Sequence, residues 1–147
     1  MKIRREELAD VMKIVRVKEV MTRDFPTISS IMALKEVTNL ARNTGHHGFP
    51  ILDDEGRLFG VVTLADLERS IQSGNTDRPV GEVATQAPIV AYPDQTLYEV
   101  LQASEKDYGR IPVVDPQDPG RLLGVLRRHD IVRAYRSRVA QKQTDER

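Results

Sequence analysis

The chain contains no cysteine among its 147 residues and no excess charge of either sign. Without cysteine it has no disulfides, no thiolate metal ligands and no cysteine nucleophile, which is compatible with a reducing compartment. Lys plus Arg and Asp plus Glu both number 22, so the formal net charge is zero. Because no net field draws the chain towards nucleic acid, we expect no nucleic-acid partner.

Long apolar runs are also missing. No run approaches the 18 residues that would predict a membrane-spanning helix, and the N-terminus has no signal-peptide apolar core. We therefore expect a soluble chain in the cytoplasm, either free-standing or the cytoplasmic part of a longer membrane protein.

Motifs with a catalytic mechanism are absent from the sequence. It has no Walker-type phosphate loop, no GxSxG, no HExxH and only three histidines. His46 and His47 are adjacent, and adjacent strand residues point to opposite faces, so the pair does not predict a metal site. A ligand contact, a pH response and a plain surface location remain open for them. We expect neither an enzyme nor a metal protein.

An internal repeat is the main feature that is present. The segment GVVTLAD at residues 60–66 returns 64 residues later as GVLRRHD at residues 124–130. Shorter echoes occur in the same order at a spacing of 63 residues: VKEV at 17 returns as VGEV at 80, and LKEV at 34 returns as LYEV at 97. Such a repeat predicts two related units, each with an apolar face that the other covers.

The pattern of each copy predicts β-α-β-β-α. The first copy predicts strands over 47–52 and 58–63 and a helix over 64–73, with the glycines Gly45 and Gly56 ending a helix and closing a turn. The second copy predicts strands over 88–90, 109–115 and 121–126 and a helix over 129–139. The stretch over residues 17–28 is predicted to be extended and bent by Pro26.

The predicted fold class is α+β, with two β-α-β-β-α repeats packed sheet to sheet about a pseudo-two-fold axis and preceded by an N-terminal linker helix. The predicted boundaries are a linker helix over 1–16, repeat one over 17–73, a linker over 74–79, repeat two over 80–139 and a disordered tail over 140–147. Leu8, Val11, Met12 and Val15 give the first helix an apolar face. It is either a packing helix or a helix that transmits a signal from an upstream domain.

In this order the motifs resemble a tandem pair of CBS domains, the regulatory unit called a Bateman module. The resemblance covers about residues 16–137 and rests on four motifs: VxxVMT at 17–22, GFPI at 48–51, DxxGxLxGV at 53–61, and the repeated segment that ends in aspartate. Within the family, the basic first helix, HGFP and LRRxD most resemble the cytoplasmic tails of CLC-type chloride channels and transporters.

The resemblance implies a non-catalytic homodimer that binds AMP, ADP or ATP, or else S-adenosylmethionine, between the repeats. It implies no tightly bound cofactor, and it implies control of a partner domain, enzyme, channel or transporter. A ligand-free dimerisation module, with its clefts filled by Phe49, Tyr108 and Arg127, is the competing hypothesis.

The resemblance also implies two clefts with defined residues. The first cleft is expected to use Thr63, Asp66, Thr85, Val90, Tyr108, Gly109, Arg110, Ile111 and Pro112. The second cleft is expected to use Thr27, His46, His47, Gly48, Phe49, Pro50, Arg127, Arg128 and Asp130. The two aspartates would accept ribose hydroxyls and the arginines would contact phosphate.

Two features of the aspartate segments qualify that expectation. Thr63 and Asp66 have the spacing of a helix capping box, which explains them without any ligand. Arg127 stands where the family has Ser or Thr, so the capping pair is broken in the second copy. If a single cleft binds nucleotide, we expect it to be the one bounded by Thr63 and Asp66.

Overall fold

The structure is a computed structural model that describes residues 5–86, 88–103 and 110–145. The helices are α1 (Arg5–Ile14), α2 (Val17–Val20), α3 (Leu34–Thr44), α4 (Leu64–Gln72), α5 (Leu97–Ala103) and α6 (Arg128–Asp145). The strands are β1 (Ile28–Ser29), β2 (Gly48–Leu52), β3 (Leu58–Thr63), β4 (Thr85–Gln86), β5 (Arg110–Asp115) and β6 (Asp118–Arg127). The predicted α+β class and N-terminal helix are confirmed. No helix among these residues is both long and apolar enough to cross a membrane.

The chain divides into two compact units. Unit 1 draws on the ranges Met1–Asp24, Ile89–Gln117 and Leu123–Arg147, and unit 2 draws on Phe25–Pro88 and Asp118–Leu122. Each unit has a hydrophobic cluster of its own, the first around Met12, Leu97 and Leu126 and the second around Phe49 and Leu67.

Unit 2 is built on a four-stranded sheet in the order β1-β2-β3-β4. β1 runs parallel to β2, and the other neighbours are antiparallel, with Gly48 opposite Thr63. Four of the five residues of β2 are buried, so this strand forms the centre of the unit. The predicted strands and helix over 47–73 are confirmed, and so are the left-handed glycines, with φ 73° at Gly45 and φ 77° at Gly56.

Unit 1 combines β5 and the second half of β6, from Leu123, with the helices α1, α2, α5 and α6. α1 contributes Met12 to the core of the unit, and Val15, just beyond the helix, is buried beside it, at 1% and 2% exposure. The ammonium group of Lys13 lies 4.9 Å from the centre of the Tyr98 ring on α5, within cation–π range. These contacts support the prediction of a packing helix.

The opening segments of the two repeats lie in exchanged units. Thr22, from the start of repeat one, exchanges two backbone hydrogen bonds of 2.9 Å with Val125 in unit 1. At the equivalent place in unit 2, Thr85 on β4 pairs with Val61 on β3. Each compact unit thus contains most of one repeat and the opening segment of the other, which sequence similarity along the chain does not reveal.

Four local predictions differ from the structure. Residues 17–20 form the short helix α2 instead of an extended segment, because the Glu19 carboxylate accepts the Arg16 backbone N–H at 2.6 Å and Val17 is buried. Residues 88–90 form no strand: Ile89 is 50% exposed, and the parallel bridge forms one residue later, from Ala91 to Val113.

The other two differences lengthen β6 and α6. β6 begins at Asp118, inside the predicted turn; its first residues, Asp118–Leu122, belong to unit 2, where the Asp118 carboxylate is 2.6 Å from the Arg57 guanidinium. α6 continues to Asp145, where a disordered tail was predicted from 140. Its last turns contain Ala140, Gln141, Lys142 and Gln143, which are good helix formers and need no apolar anchor to remain helical.

Candidate functional site

The segment of residues 60–66 in unit 2, here called the Asp66 corner, joins β3 to α4. Thr63 is the N-cap of α4: its hydroxyl accepts the Asp66 backbone N–H at 3.2 Å, and the Asp66 carboxylate accepts the Thr63 backbone N–H at 3.2 Å. The capping box expected from the spacing is therefore present. It uses one carboxylate oxygen and leaves the other with a single contact of 3.4 Å, to Arg69.

The Asp66 side chain remains accessible to a ligand. It is 24% exposed, and Arg69, its ion-pair partner on α4, is 75% exposed. Such an exposed pair contributes little to stability and separates at little cost. A carboxylate at a helix N-terminus with an accessible oxygen can accept two hydroxyl donors, as a ribose requires.

Thr85 lies on the strand beside this corner. β4 pairs with β3 so that Val61 stands opposite Thr85, and Gly60 stands opposite Gln86. A Cβ at Gly60 would collide with the backbone carbonyl of Thr85, so glycine permits this close strand approach. Thr85 itself is exposed. The structure thus brings Thr63, Asp66 and Thr85 to one edge of unit 2.

The segment of residues 124–130 in unit 1, here called the Asp130 corner, joins β6 to α6. Asp130 is 1% exposed and accepts the Arg127 backbone N–H at 2.8 Å. Half of the capping box therefore survives although Arg127 replaces threonine. The Thr22 hydroxyl donates to this carboxylate, with its oxygen 3.1 and 3.2 Å from the two carboxylate oxygens.

Two guanidinium groups complete the surroundings of Asp130. Arg127 approaches with Nε at 3.3 Å and Nη2 at 3.2 Å, and Arg133 approaches with Nη2 at 2.7 Å. Burial alone would raise the pKa of Asp130. The hydrogen bonds from the Arg127 side chain and backbone, the charge of Arg127 and the hydrogen bond from Thr22 together outweigh burial, so the pKa lies below the usual carboxyl value. This aspartate is ionised, and both of its carboxylate oxygens accept hydrogen bonds from within unit 1.

The remaining predicted residues of unit 1 lie on β5 and near it. Ile111 and Pro112 are buried, Val90 is partly buried and Arg128 is exposed. Arg110 is partly buried; burial and then the charge of Arg127 lower its pKa, and Asp130 opposes the shift. Arg110 therefore lies in the field of Arg127 and Asp130, two residues that the sequence assigned to the other cleft. Tyr108 and Gly109 lie outside the described residues.

The remaining predicted residues of unit 2 have mixed environments. Phe49 is 1% exposed and belongs to the core of the unit, with the His46 ring edge-on to it at 5.9 Å. Gly48 and Pro50 are buried, whereas Thr27 and His47 are exposed. Within the described residues, no three His, Asp or Glu side chains are grouped so as to hold a metal ion. The predicted membership of the two clefts stays a prediction.

A cavity of about 610 Å³ lies in unit 1 between α2 and α6. Its charged lining residues are matched in pairs: Arg133 with Asp130 at 2.7 Å, and Arg138 with Glu19 at 3.6 Å. Sequence reasoning missed this cavity because α2 was expected to be extended.

Comparison with known protein families finds two copies of one domain in the chain. The family model of the CBS domain matches residues 17–73 and 80–137. An uncharacterized protein of Methanocaldococcus jannaschii is 28% identical over 134 residues, which are 89% of this chain and 48% of that protein. The chain spans about half or less of the length of the first curated relatives that it matches.

Solved structures share the fold. CBSX2 in complex with AMP superposes with a TM-score of 0.70 at 27% identity, over 82% of this chain and 95% of that one. A CBS domain pair solved with 5′-methylthioadenosine and S-adenosyl-L-methionine superposes with a TM-score of 0.73 at 24% identity, over 85% of this chain and 98% of that one. At this lower identity the likeness shows the fold alone.

Proposed function

Since the chain belongs to the CBS-domain family, we propose that it is a ligand-sensing regulatory module that binds an adenine nucleotide at the Asp66 corner. The observation that carries the proposal is the accessible carboxylate of Asp66, which is 24% exposed and lies at the capped N-terminus of α4. The similarity to CBSX2, which was solved with AMP, supports an adenine nucleotide as the ligand class.

The roles of the residues at the Asp66 corner follow from their chemistry. The Asp66 carboxylate accepts the two ribose hydroxyls, displacing the long contact to Arg69. The N-terminus of α4 favours the negative charge of phosphate, and the Thr63 hydroxyl is positioned beside it. The ligand acts on a partner only by binding one arrangement of the module more tightly than another.

The module itself has no catalytic role in this proposal. It works as a homodimer in the cytoplasm and controls a partner domain, for which a membrane channel or transporter of the CLC type is the candidate from the sequence pattern. Because the chain spans only part of its relatives, the partner is best identified from the full-length gene product.

Calorimetric titration tests the proposal. We expect AMP, ADP or ATP to bind the wild type with one site per chain, and Asp66→Asn to weaken binding at least about tenfold, as expected for loss of a charged hydrogen-bond acceptor. Asn keeps an oxygen for the helix cap, so the fold is preserved. Asp54→Asn, in an exposed turn of the same unit, is the matched control and should bind as the wild type does.

Two outcomes would overturn the nucleotide proposal. If S-adenosylmethionine binds and no nucleotide does, the ligand class is wrong. If none of the four ligands gives heat or thermal stabilisation at millimolar concentration, a ligand-free dimerisation module is the better assignment. The saturation of Asp130 by Arg127 and Arg133 favours that second candidate for the Asp130 corner. Sedimentation measures the dimer in either case.

A further inference from the structure

The cavity between α2 and α6 lies entirely within unit 1. One of its walls is formed by Val15, Glu19 and Val20. The other wall is one face of α6, because its members are spaced as on one side of a helix. They are Asp130, Arg133, Ala134, Ser137, Arg138 and Gln141. The cavity is therefore a groove between the opening segment of repeat one and α6.

The floor of this groove is apolar. Val15 and Ala134 are 2% and 7% exposed and belong to the hydrophobic cluster of unit 1, against which Val20 also packs. Charged groups lie nearer the mouth, where the side chains of Glu19 and Arg138 are 43% and 40% exposed. The volume of about 610 Å³ lies within the range of roughly 300–1,000 Å³ that is usual for small-molecule sites. The groove thus combines an apolar floor with a charged mouth, as such sites do.

The ion pair at the mouth of the groove is loose. Arg138 Nη2 lies 3.6 Å from Glu19 Oε1, which is too far for a hydrogen bond. The second oxygen of Glu19 accepts the Arg16 backbone N–H at 2.6 Å, so Oε1 is the oxygen available to a ligand. Such a pair between two exposed side chains separates at little cost. Glu19 and Arg138 can therefore each turn to an opposite charge on a ligand.

The opposite end of the groove is already occupied. The Asp130 carboxylate is buried and accepts hydrogen bonds from Arg133 at 2.7 Å and from the Arg127 backbone at 2.8 Å. A ligand would have to break these charge-assisted bonds to bind there. The groups available to a ligand are accordingly those at the end that holds Glu19 and Arg138.

The charges of the groove select the kind of ligand. Its two acids and two arginines give it no net charge, so neither a simple anion nor a simple cation is favoured. A zwitterion meets both groups of the loose pair: its carboxylate can bind the Arg138 guanidinium in bidentate fashion, and its ammonium group can donate to Glu19 Oε1. In an α-amino acid these two groups flank one carbon atom, and the side chain can then cover Val15, Val20 and Ala134. The groove therefore fits an α-amino acid with an aliphatic side chain.

Among the described residues, unit 2 does not reproduce the charged mouth. Glu82 stands at the position equivalent to Glu19, but it pairs at 2.9 Å with Arg78, four residues earlier in the chain. α4 ends at Gln72, before the position equivalent to Arg138, so the part of α6 that carries this arginine is additional to the repeat. A packing device common to the two repeats would be present in both units. The difference favours a role specific to unit 1.

We propose that the groove between α2 and α6 binds an aliphatic α-amino acid, with Arg138 holding its carboxylate and Glu19 holding its ammonium group. This goes beyond the proposed function, because it gives unit 1 a ligand of another class at a place that uses neither the Asp66 corner nor the carboxylate of Asp130. Bound there, the amino acid joins α2 to α6. It thereby favours the arrangement of unit 1 in which the opening segment of repeat one is docked on α6.

Calorimetric titration of the full chain with L-valine, L-leucine and L-isoleucine tests the proposal. We expect all three to bind with one site per wild-type chain. Isocaproate, which is leucine without its amino group, and isoamylamine, which is leucine without its carboxylate, should each bind at least about tenfold more weakly than leucine, since each leaves one charge of the pair unmatched. Glycine should also bind at least about tenfold more weakly, because it covers none of the apolar floor.

Variants at the mouth of the groove test the two assigned roles. Arg138→Gln and Glu19→Gln should each weaken L-leucine binding at least about tenfold, as expected for the loss of a charge-assisted contact. In Glu19→Gln the amide side chain keeps an oxygen for the Arg16 backbone N–H, so α2 retains its cap. Arg136→Gln, the matched control, removes the same charge from an exposed position of α6 outside the groove and should change the affinity less than about twofold.

Three results would contradict the amino-acid site. The first is the absence of heat and of thermal stabilisation with all three amino acids at millimolar concentration. The second is isocaproate binding as tightly as L-leucine, and the third is wild-type affinity in Arg138→Gln. Among the described residues Arg138→Gln breaks only the 3.6 Å contact, so the test survives if Glu19→Gln fails to fold. Asp66→Asn should weaken AMP binding and leave L-leucine binding intact, which separates failure of this inference from failure of the nucleotide proposal.

Discussion

At the Asp66 corner the aspartate side chain is 24% exposed, whereas at the Asp130 corner it is fully buried. The two backbones are alike, since each strand runs directly into a helix and each carboxylate accepts the backbone N–H three residues before it. The difference comes from side chains at two positions. Arg127 stands in place of Thr63, and Thr22 bonds to Asp130 where the equivalent Thr85 is exposed.

This difference shows how a duplicated corner acquires two side-chain environments without a change of fold. A threonine cap satisfies the helix end locally and leaves the carboxylate accessible. Arg127 at the same position turns towards the carboxylate, which pairs with Arg133 as well, so that two positive charges surround one negative charge. Matched substitutions at the aspartates, the glycines and the threonines of the two corners test this difference.

Removal of the Asp130 side chain should destabilise the protein more than removal of the Asp66 side chain. We expect Asp130→Ala to lower the free energy of unfolding by about 3 kcal/mol, because it leaves Arg127, Arg133 and the Thr22 hydroxyl without their common acceptor. Asp66→Ala should lower it by about 1 kcal/mol, the usual contribution of a helix cap. Urea denaturation of both variants measures the difference, and equal losses would contradict the contrast between the corners.

Substitution of the glycine that begins each corner should destabilise the Asp66 corner more than the Asp130 corner, the reverse of the order for the aspartates. A Cβ at Gly60 would meet the rigid backbone of Thr85, and we expect Gly60→Ala to cost about 2–3 kcal/mol. A Cβ at Gly124 would lie 2.8 Å from the sulfur of Met21, a flexible side chain that can move, and 3.1 Å from the Thr22 carbonyl oxygen, a milder backbone contact than at Gly60, so Gly124→Ala should cost about 1 kcal/mol. Thermal unfolding ranks the two variants; a larger loss for Gly124→Ala would mean that β4 does not pack tightly on β3.

The equivalent threonines Thr22 and Thr85 provide a third contrast. Thr22→Val removes a hydroxyl donor from a buried carboxylate and should cost about 1–2 kcal/mol. Thr85→Val changes an exposed strand residue and should stay within about 0.5 kcal/mol of the wild type. Because valine has the shape of threonine, denaturation of the two variants isolates the hydroxyl. A loss at Thr85 as large as that at Thr22 would show that Thr85 also bonds to its aspartate.

Much of the fold follows from local patterns in the sequence. The apolar segments and turn residues of 47–63 predicted β2 and β3, because this hairpin has its hydrophobic pattern and its positive-φ glycine within one short segment. The helix α4 was predicted with its capping box for the same reason. For these elements spacing alone was sufficient, because their determinants are neighbours in sequence.

Non-local features were missed. VKEV at residues 17–20 has the valines of a strand, but it forms α2 because Val17 is buried in unit 1 and Glu19 caps the turn. The exchange of opening segments between the units depends on strand pairing between residues far apart in the chain. The hydrogen bond from Thr22 to Asp130 likewise joins residues far apart in the chain, so the burial of this aspartate could not be predicted from the repeat.

Acid titration gives the smallest expected effect and tests the charge of Asp130 directly. Burial alone would raise its pKa, but the effects of Arg127 and Thr22 outweigh burial, so the pKa in the folded protein lies below that in the unfolded chain. The carboxylate therefore adds stability above the unfolded pKa, near pH 4, and this contribution disappears as the pH falls through the folded pKa. We expect the difference in unfolding free energy between the wild type and Asp130→Asn to shrink by about 1 kcal/mol between pH 6 and pH 3.

The same measurement on Arg127→Thr should show a weaker pH dependence, because the main group that lowers the pKa of Asp130 is gone. An unchanged pH dependence in that variant would mean that Arg133 and Thr22 alone keep Asp130 ionised, and that Arg127 is not the residue that distinguishes the two corners.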